Sequence, residues 1–443
     1  MPILLLLIFA IFFTIHSLTN RGGVDYVSII ILIYIVMIAS SIIYGAVNSL
    51  NIDAYSIGAI LYLGLCLIIV FLPMLGIRGD DHKPIIIENM GIFKLAKKVL
   101  IISSYMAICF FAPLSVFILA NLDITNARNS NIILISNYIK LFGGLGRMLN
   151  TYFSLVSNMF PVTLAFSFIQ LSIDHRPSKN RRFLISLLST FCYVVYILAY
   201  VGRDGIVYWI ITFVIEYNMF KKYIKGREIK KYLRLPMFSI LILMLIIFLH
   251  ITKARFGSSL ADISGAILSY MGQQVKNFSD RYSINPPLSH GRANFPLLMN
   301  MLDQLGIRIS FTPKSMINAY YFERGLQPWV FATFIGSFLS DFGKLGTILI
   351  ITLGSIYMRW IINGRSRKAW YLSDLLIILL YCQIVSWGVF YFRQYSDNLY
   401  LLCLLALVFI LRFSRRIRYS VPLQVQTIHT MLSPTGRPTT ETE

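Results

Sequence analysis

Four short segments hold the side chains best suited to chemistry. The stretch "GRDG", residues 202–205, sets Arg203 and Asp204 between the apolar runs "FLISLLSTFCYVVYILAY" and "IVYWIITFVIEY". "SHGRANFP", residues 289–296, joins His290 to Arg292; "SDFGKLG", residues 340–346, puts Asp341 ahead of a further apolar run; "YFRQYSDN", residues 391–398, adds Arg393 and Asp397. Guanidinium groups grip phosphate oxygens through paired N–H donors. Imidazole changes charge near neutral pH, so His290 suits a general base or a phosphate partner. The set fits the handling of an anion. From the dipeptide alone, Arg203 and Asp204 fit a self-neutralised hairpin tip better than a site. Two features favour a site: Gly202 and Gly205 allow a tight turn or a close backbone approach to a ligand, and a helix from Ile206 onward would turn its first N–H groups toward a phosphate. Aromatic residues Tyr320, Tyr321, Phe322, Trp329 and Phe331 suit an interfacial belt, and in a saccharide site they would offer flat apolar faces to sugar rings.

The elements that must position these groups are apolar helices. Of 443 residues 57% are hydrophobic and 13% charged, with a mean hydropathy of +0.69, far from the composition of a soluble domain. A bilayer core of about 30 Å takes about 20 apolar residues as helix, because backbone polar groups must be satisfied internally. Eleven stretches qualify, near residues 2–18, 26–47, 54–77, 99–120, 152–173, 183–201, 205–219, 234–251, 345–362, 372–392 and 397–413. The expected fold is therefore an all-α polytopic integral membrane protein of about 11 transmembrane helices. The first stretch lacks a basic segment before it and reads as a retained helix rather than a signal peptide.

The net charge of +21 comes from basic residues crowded into alternate loops, which argues against nucleic acid as the partner. The clusters begin with Arg78, Lys83, Lys94, Lys97 and Lys98, then Arg176, Lys179, Arg181 and Arg182. They continue through residues 221–234, 359–368 and 412–418. The positive-inside bias assigns these loops to the cytoplasm, with the N-terminus outside and the C-terminus inside. Residues 1–251 then hold helices 1 to 8, residues 252–344 form one large external loop, residues 345–420 hold helices 9 to 11, and residues 421–443 are a polar, disordered cytoplasmic tail. The large loop keeps helical spacing in "SSLADISGAILSYMGQQVKNF" and again after Pro296 in "PLLMNMLDQLG". It carries nine basic residues against five acidic ones, enough for an external basin for an anion. Cys66, Cys109, Cys192, Cys382 and Cys403 lie in apolar spans with no CxxC spacing, as small buried hydrophobes do. Walker-type, HExxH and GxSxG motifs are absent, which speaks against ATPase, zinc protease and serine hydrolase chemistry. No metal-ligand cluster is spaced along the external segments, so transfer without a divalent ion is expected.

Taken in order, these features resemble the O-antigen polymerase family, the enzymes that join oligosaccharide repeat units of bacterial surface polysaccharides. "GRDGIV" is similar to the family's Gly-Arg segment opening a helix, and "SDFGKLG" to its Asp-Phe-Gly-x-x-Gly stretch; the order of spans and the long external loop carry the rest. The resemblance implies a metal-independent, inverting glycosyltransferase of the bacterial cytoplasmic membrane with its active face outside and no cofactor. It would transfer a chain from undecaprenyl pyrophosphate to the sugar hydroxyl of an incoming lipid-linked unit, making O-antigen, capsule or exopolysaccharide. Membrane lipid, a chain-length regulator and a flippase are the candidate partners. On that reading Arg203, Asp204, His290, Arg292 and Asp341 are the candidate catalytic residues, with Asp204, His290 and Asp341 as the bases to choose among. Arg281, Arg308, Arg324, Arg393, Tyr321 and Trp329 would bind substrate. The second arginine of the family's pattern has no obvious counterpart, and Arg281, Arg292, Arg308 and Arg324 all compete for it. A flippase or transporter of the lipid-linked unit is the alternative. It predicts alike halves and charge inside spans.

Overall fold

A computed structural model describes residues 2–20, 24–50, 55–77, 83–120, 127–173, 179–200, 202, 204–224, 242, 244–253, 259–307, 310, 312–327, 330–365, 368–392, 395–414 and 419–421. The helices are α1 (Pro2–Thr19), α2 (Tyr26–Val47), α3 (Ile57–Leu75), α4 (Met90–Ala120), α5 (Ala127–Lys140), α6 (Leu145–Asn158), α7 (Phe160–Ile173), α8 (Lys179–Ser189), α9 (Cys192–Ala199) and α10 (Asp204–Phe220). After these come α11 (Met244–Lys253), α12 (Leu260–Gly272), α13 (Gln274–Ile284), α14 (Pro296–Gln304), α15 (Lys314–Phe322), α16 (Thr333–Trp360), α17 (Leu372–Trp387) and α18 (Tyr395–Phe413). Three short strands, β1 (Ile85–Ile87), β2 (Trp370–Tyr371) and β3 (Tyr419–Val421), complete the described chain.

This is an all-α membrane protein. Among the described residues six helices are long and apolar enough to cross a membrane: α1, α2, α3, α4, the continuous run Arg181–Ala199 through α8 and α9, and α16. The pair α6 and α7, bent by 48°, makes a seventh if it is one span. α10, α11, α17 and α18 cover the remaining expected stretches with apolar helix, but each is too short, or has too short an apolar part, to qualify by length. α2, α3 and α12 begin where the side chains of Asp25, Ser56 and Ser259 accept a backbone N–H from the first turn, the local signal that starts a helix.

Inside the bundle α2 packs on α1, α10 and α17, and α16 packs on α3 and α17. Phe9, Tyr34 and Phe71 meet at ring centroids 5.2–5.3 Å apart, all fully buried. Buried phenols stitch helices together by donating to carbonyls: Tyr34 to Val385 O at 2.9 Å and Tyr381 to Val70 O at 2.8 Å.

The two ends of the bundle differ. At one end β1 pairs in parallel with β2 and antiparallel with β3, giving the order β2-β1-β3. Lys83 Nζ lies 4.5 Å from the Trp370 ring centroid, Tyr223 donates to Lys83 O at 2.6 Å, and Lys97 Nζ donates to Gln170 at 3.1 Å. Arg412 at the end of α18 donates to the fully buried Asp374 at the start of α17, 2.6 Å away. Described residues in or beside four of the basic loop regions, around 83, 223, 370 and 412, thus meet here. The opposite end gathers α12–α15: Ser279 Oγ accepts from Ser56 N at 2.8 Å, Tyr62 donates to Lys344 O at 2.5 Å, and Asn398 donates to Asn294 O at 2.7 Å.

Within the large loop the expected helix over residues 260–278 is two, broken at Gln273, whose side of the bundle is set by Gly272. A Cβ at Gly272 would stand 2.5 Å from Ser40 O, so only glycine lets α12 sit this close to α2. The late span also begins earlier than its apolar run. Helical backbone starts at Thr333, and a kink at Gly343 (φ 67°, ψ −175°) divides α16. Asp341 is therefore in helix before the kink rather than in a loop before the span. The polar tail falls outside the described residues from 422 onward.

Because the two ends are distinct, single cysteines in a cysteine-free background should label from opposite sides of the membrane. We expect an impermeant maleimide to modify exposed Gln327→Cys from one side and exposed Lys368→Cys only from the other. Labelling of both from the same side would refute the arrangement.

Candidate functional site

Asp341 organises the non-basic end. Fully buried, its carboxylate accepts from Ser289 Oγ, Ala293 N (3.1 Å), Asn294 N (3.0 Å) and Asn294 Nδ2. Its carbonyl accepts from His290 N at 2.9 Å. The segment 289–294 is thereby wrapped around one helical side chain, with His290 (φ 49°) and Gly291 (φ 92°) in left-handed conformations that make the turn. The His290 ring projects outward, exposed, while Arg292 turns sideways to pair with Asp303 of α14 and to reach Asn300 at 3.3 Å. Arg292 is thus committed to holding α14.

Next to Asp341, Ser340 Oγ and the buried Tyr321 hydroxyl are 2.9 Å apart. The Arg281 guanidinium lies 5.3 Å from the Tyr321 ring centroid and donates to Val330 O at 2.8 Å. Burial lowers the Arg281 pKa and raises that of Tyr321, since each charged form loses hydration there. Arg324, exposed, stacks over Tyr320 at 3.5 Å and donates to Tyr320 O at 3.1 Å. The structure so brings Asp341, Arg281 and Tyr321 into one contiguous group, with His290, Arg292 and Arg324 on its margins.

A small cleft between α10, α17 and α18 adjoins this group, with a cavity volume of about 40 Å³. Its walls include Tyr208, Gln383, Trp387, Tyr391, Phe392 and Tyr400. They are mostly aromatic, with one polar pair: Tyr400 donates to Gln383 Oε1 at 2.9 Å. The cleft and the Asp341 group share a wall. The Phe392 ring sits 4.9 Å from Phe338 and 5.1 Å from Phe295, and its N–H donates to Ser337 Oγ at 3.3 Å. Tyr391 stacks on Phe331 at 5.4 Å, and Asn398, two residues before Tyr400, donates to the Asn294 carbonyl at 2.7 Å.

On the other side the cleft meets the start of α10. Asp204 is the first helical residue, half-buried, and Tyr208, one turn on, packs on Trp387 at 4.9 Å. Gly202 and Gly205 have a steric reason of their own. A Cβ at Gly202 would lie 2.4 Å from Ile197 Cγ2, and one at Gly205 2.7 Å from Ile197 Cβ. The turn from α9 into α10 is so tight that Ile197 fills the space a side chain would need, and Gly202 N donates to Ile197 O at 2.9 Å. The glycines are thus accounted for by packing, without a ligand.

Arg203, Arg308, Trp329 and Arg393 lie outside the described residues. What sequence reasoning missed is the cleft itself. Gln383 carried a faint signal as an amide inside an apolar run; Tyr208, Trp387 and Tyr400 carried none, because aromatic residues in membrane spans are ordinary packing. Among the described residues no three His, Cys, Asp or Glu side chains gather as metal ligands. No family model, no curated protein and no solved structure matches this chain.

If Asp341 holds the loop, Asp341→Ala takes the acceptor from three donors, Ser289 Oγ and the N–H groups of 293 and 294, and should cost roughly 3 kcal/mol, with Asp341→Asn costing about half as much. The midpoint of thermal unfolding in detergent should fall in that order, and protease should cut first between residues 285 and 328. An Ala variant as stable and as resistant as the native chain would remove Asp341 from this role.

Proposed function

We propose that the chain is a membrane glycosyltransferase that joins undecaprenyl-pyrophosphate-linked repeat units into a surface polysaccharide, on the outer side of the bacterial cytoplasmic membrane. The observation that carries the reading is the aromatic cleft at the end opposite the basic loops, bounded by the start of α10 and by the Asp341 group. The six or seven helices long and apolar enough to cross a membrane, with shorter apolar helices beside them, are compatible with a multi-pass enzyme of this kind.

In this reading the pyrophosphate lies at the first turn of α10, where the positive end of the helix and Arg203 would meet its charge. The sugar rests against Tyr391, Trp387 and Tyr208, with the Gln383 and Tyr400 pair addressing its hydroxyls. An acceptor oxygen bonds to the anomeric carbon as the bond from that carbon to the pyrophosphate oxygen breaks; the hydroxyl proton goes to a base and the charge leaves with undecaprenyl pyrophosphate. Asp341 is poorly suited as that base because its oxygens already accept four hydrogen bonds. Asp204 fits better, being half-buried beside the cleft-lining turn. Tyr321 and Arg281 shape the loop, and Arg324 is exposed for a second phosphate contact.

One observation favours a transporter of the lipid-linked unit instead: Glu216 is a fully buried acid within α10. Polysaccharide from a deletion strain separates the two on a gel. Loss of a polymerase leaves single repeat units on the lipid acceptor, and loss of a flippase leaves essentially none. With the polymerase reading, Arg203→Lys keeps the charge but loses the two-pronged contact, and should cost on the order of 3 kcal/mol, roughly a hundredfold in rate. Long polymer from Arg203→Lys and Arg203→Gln at native expression would assign that residue to the turn alone.

A further inference from the structure

The turn between α5 and α6 carries an apolar tip that stands open. Leu141 is 79% exposed, Met148 69% and Leu145 65%, and the exposed Phe142 lies among them. An apolar cluster of this kind is unfavourable in water and marks a surface that something else covers. Lys140 and Arg147, also exposed, flank it.

The hairpin is held from within. Gly143, in a left-handed conformation (φ 59°), reverses the chain. A Cβ at Gly146 would collide with the Ile139 carbonyl, so a bare position is what lets α6 turn back against the end of α5. The Phe110 ring of α4 then takes Tyr138, Phe142 and Phe153 at centroid distances of 5.5, 5.2 and 5.1 Å, and Tyr138 donates to Phe110 O at 2.7 Å. On the α6 side Asn150 Oδ1 accepts from the Tyr200 hydroxyl at 3.2 Å, and the hydroxyls of Tyr152 and Ser103 are 2.6 Å apart.

These contacts also set the depth of the tip. α4 is one of the helices long and apolar enough to cross a membrane, and near its basic end Lys97 binds Gln170 of α7. Phe110 lies about 20 Å of helix rise beyond Lys97 and about 15 Å short of Ala120. Against a hydrocarbon core of about 30 Å, the ring that clamps the hairpin is roughly 10 Å below the boundary at the non-basic end. Val116 and Phe117 of α4, nearer that end than Phe110, are exposed too, so apolar surface continues above the clamp. The two cations agree with such a depth. Long basic side chains keep their methylene stems in the apolar layer and carry the charge up to the headgroups, and amphipathic segments bury their apolar faces about 5–10 Å into a bilayer.

We propose that the α5–α6 hairpin dips into the bilayer leaflet at the non-basic end, with Leu141, Phe142, Leu145 and Met148 seated among the acyl chains of phospholipids. The segment between the fourth span and α7 is then a lipid contact rather than an aqueous loop. It lies beside Tyr200, just before the turn into α10, so lipid reaches that flank of the bundle. The proposal involves no sugar and no turnover, and is decided separately from the polymerase reading.

The test uses the full chain in phospholipid nanodiscs, with one NBD label at a time on Leu141→Cys, Leu145→Cys or Gln327→Cys in a cysteine-free background. All three positions are exposed, so these replacements leave the packing intact. Nitroxide midway along the acyl chains should quench the labels at 141 and 145 at least threefold more strongly than the label at 327, and more strongly than nitroxide on the headgroup does. Iodide should show the opposite preference among the three positions. Equal access of iodide to all three would stand the tip in water and defeat the proposal. Labels at 141 and 145 shielded from both quenchers would reveal a protein cover, a second copy or another chain, and would overturn it as well. Stronger quenching from the headgroup than from the acyl chain would leave the tip at the surface, against the depth that Phe110 sets.

Discussion

The carboxylate of Asp341 is the constraint on which the non-basic end depends. A helix side chain that accepts four hydrogen bonds from a segment some fifty residues earlier converts a loop into a fixed surface. Because backbone N–H groups of 293 and 294 are among its donors, the loop cannot leave without stranding them in a dry interior. Everything nearby is indexed to that contact. Arg292 is turned toward Asp303, Tyr321 meets Ser340, and Phe392 is pressed between Phe338 and Phe295 as a wall shared with the cleft. The kink at Gly343 then redirects α16, so that the part bearing Asp341 serves the loop while the rest runs beside α3.

The cleft has a different origin. Its walls come from the start of α10, the second half of α17 with the residues just after it, and the first part of α18. On the α10 side the tight turn around Ile197 fixes where the helix begins, and hence where Asp204 and Tyr208 stand relative to Trp387. Two independent packing problems, one at Asp341 and one at Ile197, thus define opposite rims of one concavity.

Much of the fold was legible in the sequence because lipid imposes a single rule on every span. Apolar runs gave helix wherever the expected spans are described, although only six or seven of these helices are long and apolar enough to cross a membrane. Span lengths were less legible: α17 runs over Leu372–Trp387, shorter than the apolar run of residues 372–392 suggests. Of the candidate site, Asp341 and its neighbours were found from charge and glycine spacing, yet the role differs: the acid was sought as a base and is instead surrounded by donors. The aromatic cleft was invisible. A tyrosine facing a cavity and one facing lipid have the same neighbours in sequence, and only the crossing of three helices distinguishes them. Gly202 and Gly205 were legible as a turn, whereas the reason for it, a single isoleucine side chain, required the packing.

The small sheet at the basic end ties together residues 85–87, 370–371 and 419–421, so its middle strand is made early in synthesis and its last partner almost at the end. Until β3 emerges, β1 carries an edge of unpaired amide and carbonyl groups. Assembly of the bundle therefore has a built-in order. β1 precedes α4 in the chain, and the clasp shuts only once residues 419–421 follow α18. A chain cut short after α18 would insert all its hydrophobic segments and still lack the latch that marks it as finished.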